Sequence, residues 1–192
     1  ESKIGWEIYW IGAPYAFEGK KIATYEAIVF KKMGVKSLPL FTGRIQQRFS
    51  LWTIPSLVKI PFGFIHAMYL LIIVKPRVVL SFGGFVGFPV VICSWVLNIP
   101  VVIHEQTAIS GRANELSSFF SKRIALSRSS SLVSFPRNKS IVVGNPLSRE
   151  ITSVAPKARL SNPPVILITG GSRGSVTINE NVEKLLKELL SR

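Results

Sequence analysis

Along the chain, short apolar runs alternate with amphipathic stretches, the pattern of strands that each feed a helix. Residues 7–12 (EIYWIG) read as a strand closing on glycine, 20–33 as the following helix, stopped at Gly34, and 35–41 as the next strand. After a basic loop holding Arg44 and Arg48, a long apolar segment spans 55–74 and ends at Lys75-Pro76. The pattern then repeats, with RVVLS at 77–81 as a buried-type strand and a glycine loop at 82–88. Next come a helix opened by Pro89 and ended near Asn98, and a strand at 101–104. Residues 111–122 predict a helix, and 124–126 and 141–143 short strands. The polar, proline-bearing stretch 148–164 has no sustained periodicity and reads as a linker. Beyond it, VILIT at 165–169 predicts a strand running into GGSRGS and an amphipathic helix at 176–190. The expected fold is therefore α/β, with parallel sheets covered on both faces in a first domain (1–147) and a second that starts at 165–192.

The apolar segment at 55–74 is not read as a membrane span. A span needs about 20 mostly apolar residues, and Lys59, Pro61 and His66 interrupt this run. Between Glu26 and Glu105 there is no acidic residue, while eight lysines and arginines fall in the same interval. An apolar helix in a uniformly basic surround suits an anionic leaflet; the plainer alternative is a core helix with solvated lysines.

Composition narrows the chemistry. The chain has 192 residues, 47% of them hydrophobic, enough for a real core, and a formal net charge of +14 that asks for a polyanionic partner. All ten acidic residues are glutamate, and the absence of aspartate removes an Asp-x-Asp metal site, an EF-hand loop and an aspartic dyad. With two histidines and the lone Cys93, a zinc site is disfavoured, no intrachain disulfide forms, and a cytoplasmic compartment is expected, with no metal or cofactor. The chain begins at Glu1 without a methionine or a basic-then-apolar leader, and it ends inside a helical pattern. The expectation is a fragment lacking something at both ends, with no signal peptide.

Three constellations carry candidate chemistry. Thr169 to Ser175 (TGGSRGS), between an apolar run and a helix, offers backbone N–H groups and a helix N-terminus to a phosphate, without the spacing of a Walker loop or a dinucleotide fingerprint. Ser81 to Pro89 (SFGGFVGFP) places Gly83-Gly84 at a strand's carboxyl end, with Phe85 as a flat apolar wall. The stretch 101–114 (VVIHEQTAISGRAN) delivers His104, Glu105 and Gln106 to that edge. Glu105 is a candidate general base or a clamp for hydroxyls, and His104 could assist or orient it. The alternative is that Glu105 pairs with a cation such as Arg112 and holds the loop.

The order GGF-x-x-x-P, HEQ-x-x-x-x-G-x-x-N, V-x-GNP and GGS-x-G with a following Asn, here at Gly83 to Pro89, His104 to Asn114, Val142 to Pro146 and Gly170 to Asn179, resembles the MurG family. The resemblance implies two Rossmann-like domains in the GT-B arrangement, the acceptor domain first. It implies UDP-N-acetylglucosamine as donor, the undecaprenyl-linked lipid I as acceptor, inversion at the anomeric carbon, and a peripheral place on the cytoplasmic face of the cell membrane against its anionic inner leaflet. By position, Gly83, Gly84, Phe85, Glu105, Thr107 and Asn114 would fall in the acceptor cleft, and Arg149, Gly171, Ser172, Arg173, Gly174 and Asn179 on the donor. Thr107, Arg173 and Phe85 stand where the family usually has Asn, Gln and Tyr. The family's first strand with its GGTGGH-like loop and most of the donor domain are absent, so this piece alone is expected to be inactive.

Other readings are a GT-B enzyme acting on another membrane lipid such as diacylglycerol, a basic nucleic-acid-binding module, and a non-catalytic membrane scaffold. No aromatic platform interleaves with the basic residues and no helix-turn-helix or RNP-like pattern occurs, so nucleic acid is not the expected partner.

Overall fold

The computed structural model describes residues 5–17, 20–43, 53–155, 162–163, 165–170 and 175–191. The chain divides into two compact units, Glu1–Pro146 and Leu147–Arg192.

In the first unit, β1 (Tyr9–Gly12) pairs in parallel with β4 (Lys36–Pro39), joined through an antiparallel hairpin of β2 (Tyr15–Phe17) and β3 (Lys20–Ala23) and the helix α1 (Tyr25–Lys32). The helix expected over 20–33 thus forms only in its second half. Thr24 sets the boundary: its Oγ1 accepts from the Ala27 N–H at 3.2 Å and donates to the Ala13 carbonyl at 3.0 Å. That cap satisfies an otherwise orphaned N–H and fixes Thr24 in extended backbone, so the residues before it pair back as a strand.

The long helix α2 (Thr53–Val74) leads into a four-stranded parallel sheet in the order β5 (Val79–Ser81), β6 (Val101–Glu105), β7 (Arg123–Leu126) and β8 (Ser140–Val142). The crossovers are α3 (Gly84–Val96), α4 (Arg112–Ser118) and a pair of short 3-10 turns between β7 and β8. Pro89 was expected to open α3, yet the helix starts at Gly84. Two consecutive glycines at positive φ, 85° and 79°, turn the chain out of β5 directly into the helix, and Val86 and Pro89 are buried within it.

α3 serves two cores. Its Val86, Val90 and Cys93 pack with Leu40, Ala67, Leu70 and Leu71, whereas Val91 packs on the sheet residues Val101, Ile103, Ile124 and Leu126. The opposite side of α2 is also apolar, with Val58, Phe62, Ile65, Tyr69 and Ile72 exposed at three- and four-residue spacing. No helix among the described residues is long and apolar enough to cross a membrane.

In the second unit, α5 (Arg149–Thr152) and α6 (Val176–Leu190) are helical, so a short helix sits inside the stretch read as linker. The strand expected at 165–169 does not form, and Val165 and Leu167 are 82% and 86% exposed. A parallel strand exists through its neighbours' hydrogen bonds, and the described residues of this unit supply no second strand.

Ile103 is fully buried between α3 and the sheet. Ile103→Ala should lower unfolding free energy by about 2–5 kcal/mol, read as a fall in the urea midpoint, whereas Ile72→Ala on the exposed side of α2 should stay within about 0.5 kcal/mol.

Candidate functional site

The carboxyl end of β6 organises the first unit's candidate site. Successive strand residues point to opposite faces, so His104 and Glu105 leave the sheet in opposite directions and His104 does not orient Glu105 as the sequence suggested. Glu105 is only 4% exposed, and both its oxygens are engaged. Oε1 accepts from the Thr107 N–H at 2.9 Å and the Thr107 hydroxyl at 2.7 Å, and Oε2 accepts from the Gly111 N–H at 3.1 Å and the Asn114 Nδ2 at 3.0 Å. Burial pushes the carboxyl up, but the hydrogen bonds from the Thr107 and Asn114 side chains and the Thr107 and Gly111 backbone outweigh it, and the net pKa lies below the ordinary glutamate value. Its partners are neutral donors, with no ion pair to Arg112 among the described residues. The loop so closed is floored by Ser131, whose Oγ donates to the Thr107 carbonyl at 2.8 Å.

Beside this ring lies the start of α3. Gly83 packs so tightly on Asn114 that an added Cβ would sit 2.5 Å from Asn114 Oδ1. No side chain caps this helix at Gly83, so the positive end of its dipole lies at the strand edge. Asn114 is buried and its Oδ1 has no hydrogen-bond partner among the described residues. Phe85, expected to wall a ligand, is half-buried and packs inward against the α2–α3 core.

On the opposite face, His104 is 6% exposed and lies against the Phe82 ring at a centroid distance of 5.6 Å. Its Nε2 meets the Gly144 carbonyl at 3.2 Å, while Nδ1 is buried with no partner among the described residues. The turn at 143–146 closes here: the Val143 and Gly144 N–H groups donate to the Leu126 carbonyl at 2.8 and 3.3 Å, and Asn145 meets the Ser127 hydroxyl. A cleft of about 290 Å³ lies between this turn and Leu80, Phe82 and His104.

Of the residues expected on the donor, Arg149 opens α5 and Asn179 lies on α6, both exposed in the second unit, and Gly171, Ser172, Arg173 and Gly174 lie outside the described residues, as do Arg44 and Arg48. Gly83, Glu105, Thr107 and Asn114 are brought together, but Thr107 spends its hydroxyl on Glu105. Sequence reasoning missed Ser127 and Ser131, which lie in a serine-rich run (SRSSSLVS) that matches none of the motifs. Gly111 and Gly144 were visible as motif glycines without a role. Among the described residues no group of three or more His, Cys, Asp or Glu side chains forms a metal cluster.

Comparison with known proteins places these residues in a family. The glycosyltransferase family 28 N-terminal domain matches residues 2–126. A Clostridium botulinum (strain Hall) protein named UDP-N-acetylglucosamine--N-acetylmuramyl-(pentapeptide) pyrophosphoryl-undecaprenol N-acetylglucosamine transferase is 32% identical over 99% of this chain and 53% of its own length. A Legionella pneumophila (strain Lens) protein of the same name is 35% identical over 98% of this chain and 52% of its own. The chain spans about half the length of the curated relatives it matches. The crystal structure of Acinetobacter baumannii MurG aligns with a TM-score of 0.54 at 24% identity, over 76% of this chain and 39% of that one. This likeness carries the fold, an α/β parallel-sheet architecture of the GT-B type.

Glu105→Gln replaces an acceptor by an amide nitrogen facing an N–H, and should cost about 1.5–3 kcal/mol at pH 7. The folded carboxyl titrates below its unfolded value of about 4.3. Its stabilisation is therefore present above that pH and is lost as pH falls through the lower folded value. Denaturant curves for both proteins should converge on acidification and stay apart at neutral pH.

Proposed function

The chain belongs to glycosyltransferase family 28, and from that membership we propose that the intact protein transfers N-acetylglucosamine, with inversion, from UDP-N-acetylglucosamine to the undecaprenyl-pyrophosphoryl acceptor lipid I, forming lipid II in peptidoglycan synthesis. The observation that carries this reading is the likeness, over nearly the whole chain, to relatives named for that transfer. The geometry supports it in one respect. The start of α3, where no side chain caps the helix and Gly83 and Gly84 hold positive φ, brings the positive end of a helix dipole to the strands' carboxyl edge. There a pyrophosphate would lie.

In this reading Gly83, Gly84 and Asn114 meet the acceptor, Phe85 and Thr107 support that surface from behind, and Glu105 clamps the surface rather than taking a proton. Arg149, with Gly171, Ser172, Arg173, Gly174 and Asn179, meets the donor.

The apolar outer side of α2, set in a sequence interval with no acidic residue, supports peripheral binding to an anionic inner leaflet on the cytoplasmic face.

The intact protein supplied with UDP-N-acetylglucosamine and lipid I should produce lipid II. Transfer to diacylglycerol instead, or salt-sensitive oligonucleotide binding with no response to UDP-sugar, would replace this reading. In the same assay Glu105→Gln should mainly raise the acceptor KM. A fall in turnover of about two to four orders of magnitude at unchanged KM would make Glu105 the base.

Flotation with anionic liposomes should recover the protein at low salt and less of it at high salt. Equal recovery with neutral liposomes would remove the electrostatic part.

A further inference from the structure

We infer that His104 is a positioning residue that pins the turn at 143–146 to the end of the central strand and so fixes the chain where the first unit ends. A carbonyl oxygen only accepts, so the 3.2 Å contact with Gly144 requires that Nε2 carry the proton and donate it. A nitrogen so engaged cannot take a proton from a substrate. The other nitrogen, Nδ1, is buried and has no hydrogen-bond partner among the described residues. The ring is therefore sealed on one side and committed on the other, and Phe82 packed against it holds that orientation.

The same turn is fastened from β7. The Val143 and Gly144 N–H groups share the Leu126 carbonyl. The Ser127 hydroxyl lies 2.8 Å from the Glu105 carbonyl and also meets Asn145 Oδ1, so it stands between the end of β6 and the turn. Gly144 itself has φ +81°, a conformation suited to glycine, and it sends its carbonyl back to the imidazole. His104 is the side chain by which β6 holds this turn, and Arg149 follows five residues after Gly144. The kinetic consequence rests on the proposed donor role of Arg149: a loosened turn leaves the residues after it less well placed, and donor binding weakens more than turnover.

The test compares His104→Ala, His104→Gln and His104→Asn in the intact protein. A glutamine amide nitrogen reaches the position of Nε2, whereas an asparagine nitrogen reaches that of Nδ1. Ala and Asn should speed hydrogen exchange at the Val143 and Gly144 amides and raise the UDP-N-acetylglucosamine KM about three- to tenfold, the worth of one hydrogen bond. Gln should recover most of both losses. Glutamine carries no proton-accepting ring nitrogen, and the acid limb of the pH–rate profile should be the same with His and with Gln.

Turnover lowered about a hundredfold or more in Gln as in Ala, with the acid limb gone, would make His104 the base and overturn the inference. Exchange and KM at wild-type values in His104→Ala would overturn it as well. If the intact protein transfers no N-acetylglucosamine, the functional reading falls alone, and the exchange rates of the Ala and Gln variants still decide whether the turn is held by this bond.

Discussion

A carboxylate buried to 4% exposure is tolerated only when its oxygens are satisfied, and Glu105 meets that condition with donors two, six and nine residues further along the chain. Satisfying one charge therefore closes the loop after β6, fixes the first turn of α4 through Gly111 and Asn114, and draws Asn114 against Gly83. The glycine at 83 follows from this closure, because any side chain there would strike the amide that serves the carboxylate. Strand end, loop, helix start and the neighbouring strand-to-helix turn thus answer to a single electrostatic demand.

The scaffold beneath transmits that demand because α3 is shared. The helix that begins at Gly83-Gly84 packs one side on α2 and another on the sheet, so the N–H groups of its first turn are aimed by two cores at once. A parallel sheet needs cover on both faces, and α3, α4 and the short turns after β7 supply it on the side that Glu105 faces. α2 is apolar on both its inner and outer sides, a composition that core packing alone does not require.

Much of this was legible in the sequence because it depends on local period and spacing. Short apolar runs marked the strands from 77 to 126, and the HEQ-x-x-x-x-G-x-x-N spacing located the group that closes around Glu105. What escaped depended on competition or partners. Thr24 diverted 20–23 from helix to hairpin through a cap that a propensity reading does not weigh. Residues 165–169 have strand composition but, among the described residues of their unit, no strand to join. His104 and Glu105 read as a pair because they adjoin in sequence, and the strand's two-residue period separates them. Ser131 was hidden in a serine-rich run that matches none of the motifs, although it is buried against the loop it supports.

These assignments bear on where the proposed transfer finds its proton acceptor. Glu105 has its oxygens committed to four donors and a lowered pKa, which makes it a weak base as well as an occupied one. His104 has one nitrogen donating to a carbonyl and the other buried. Glu105 is fully engaged and His104 Nδ1 is buried, which favours a proton acceptor elsewhere in the proposed transfer. What remains for them is placement, and placement alone is worth several powers of ten in rate when it holds a hydroxyl in line with the bond to be broken. In the proposed reading the side chains of this site keep the start of α3 still, so changes of shape are expected to disturb it more than conservative changes in charge.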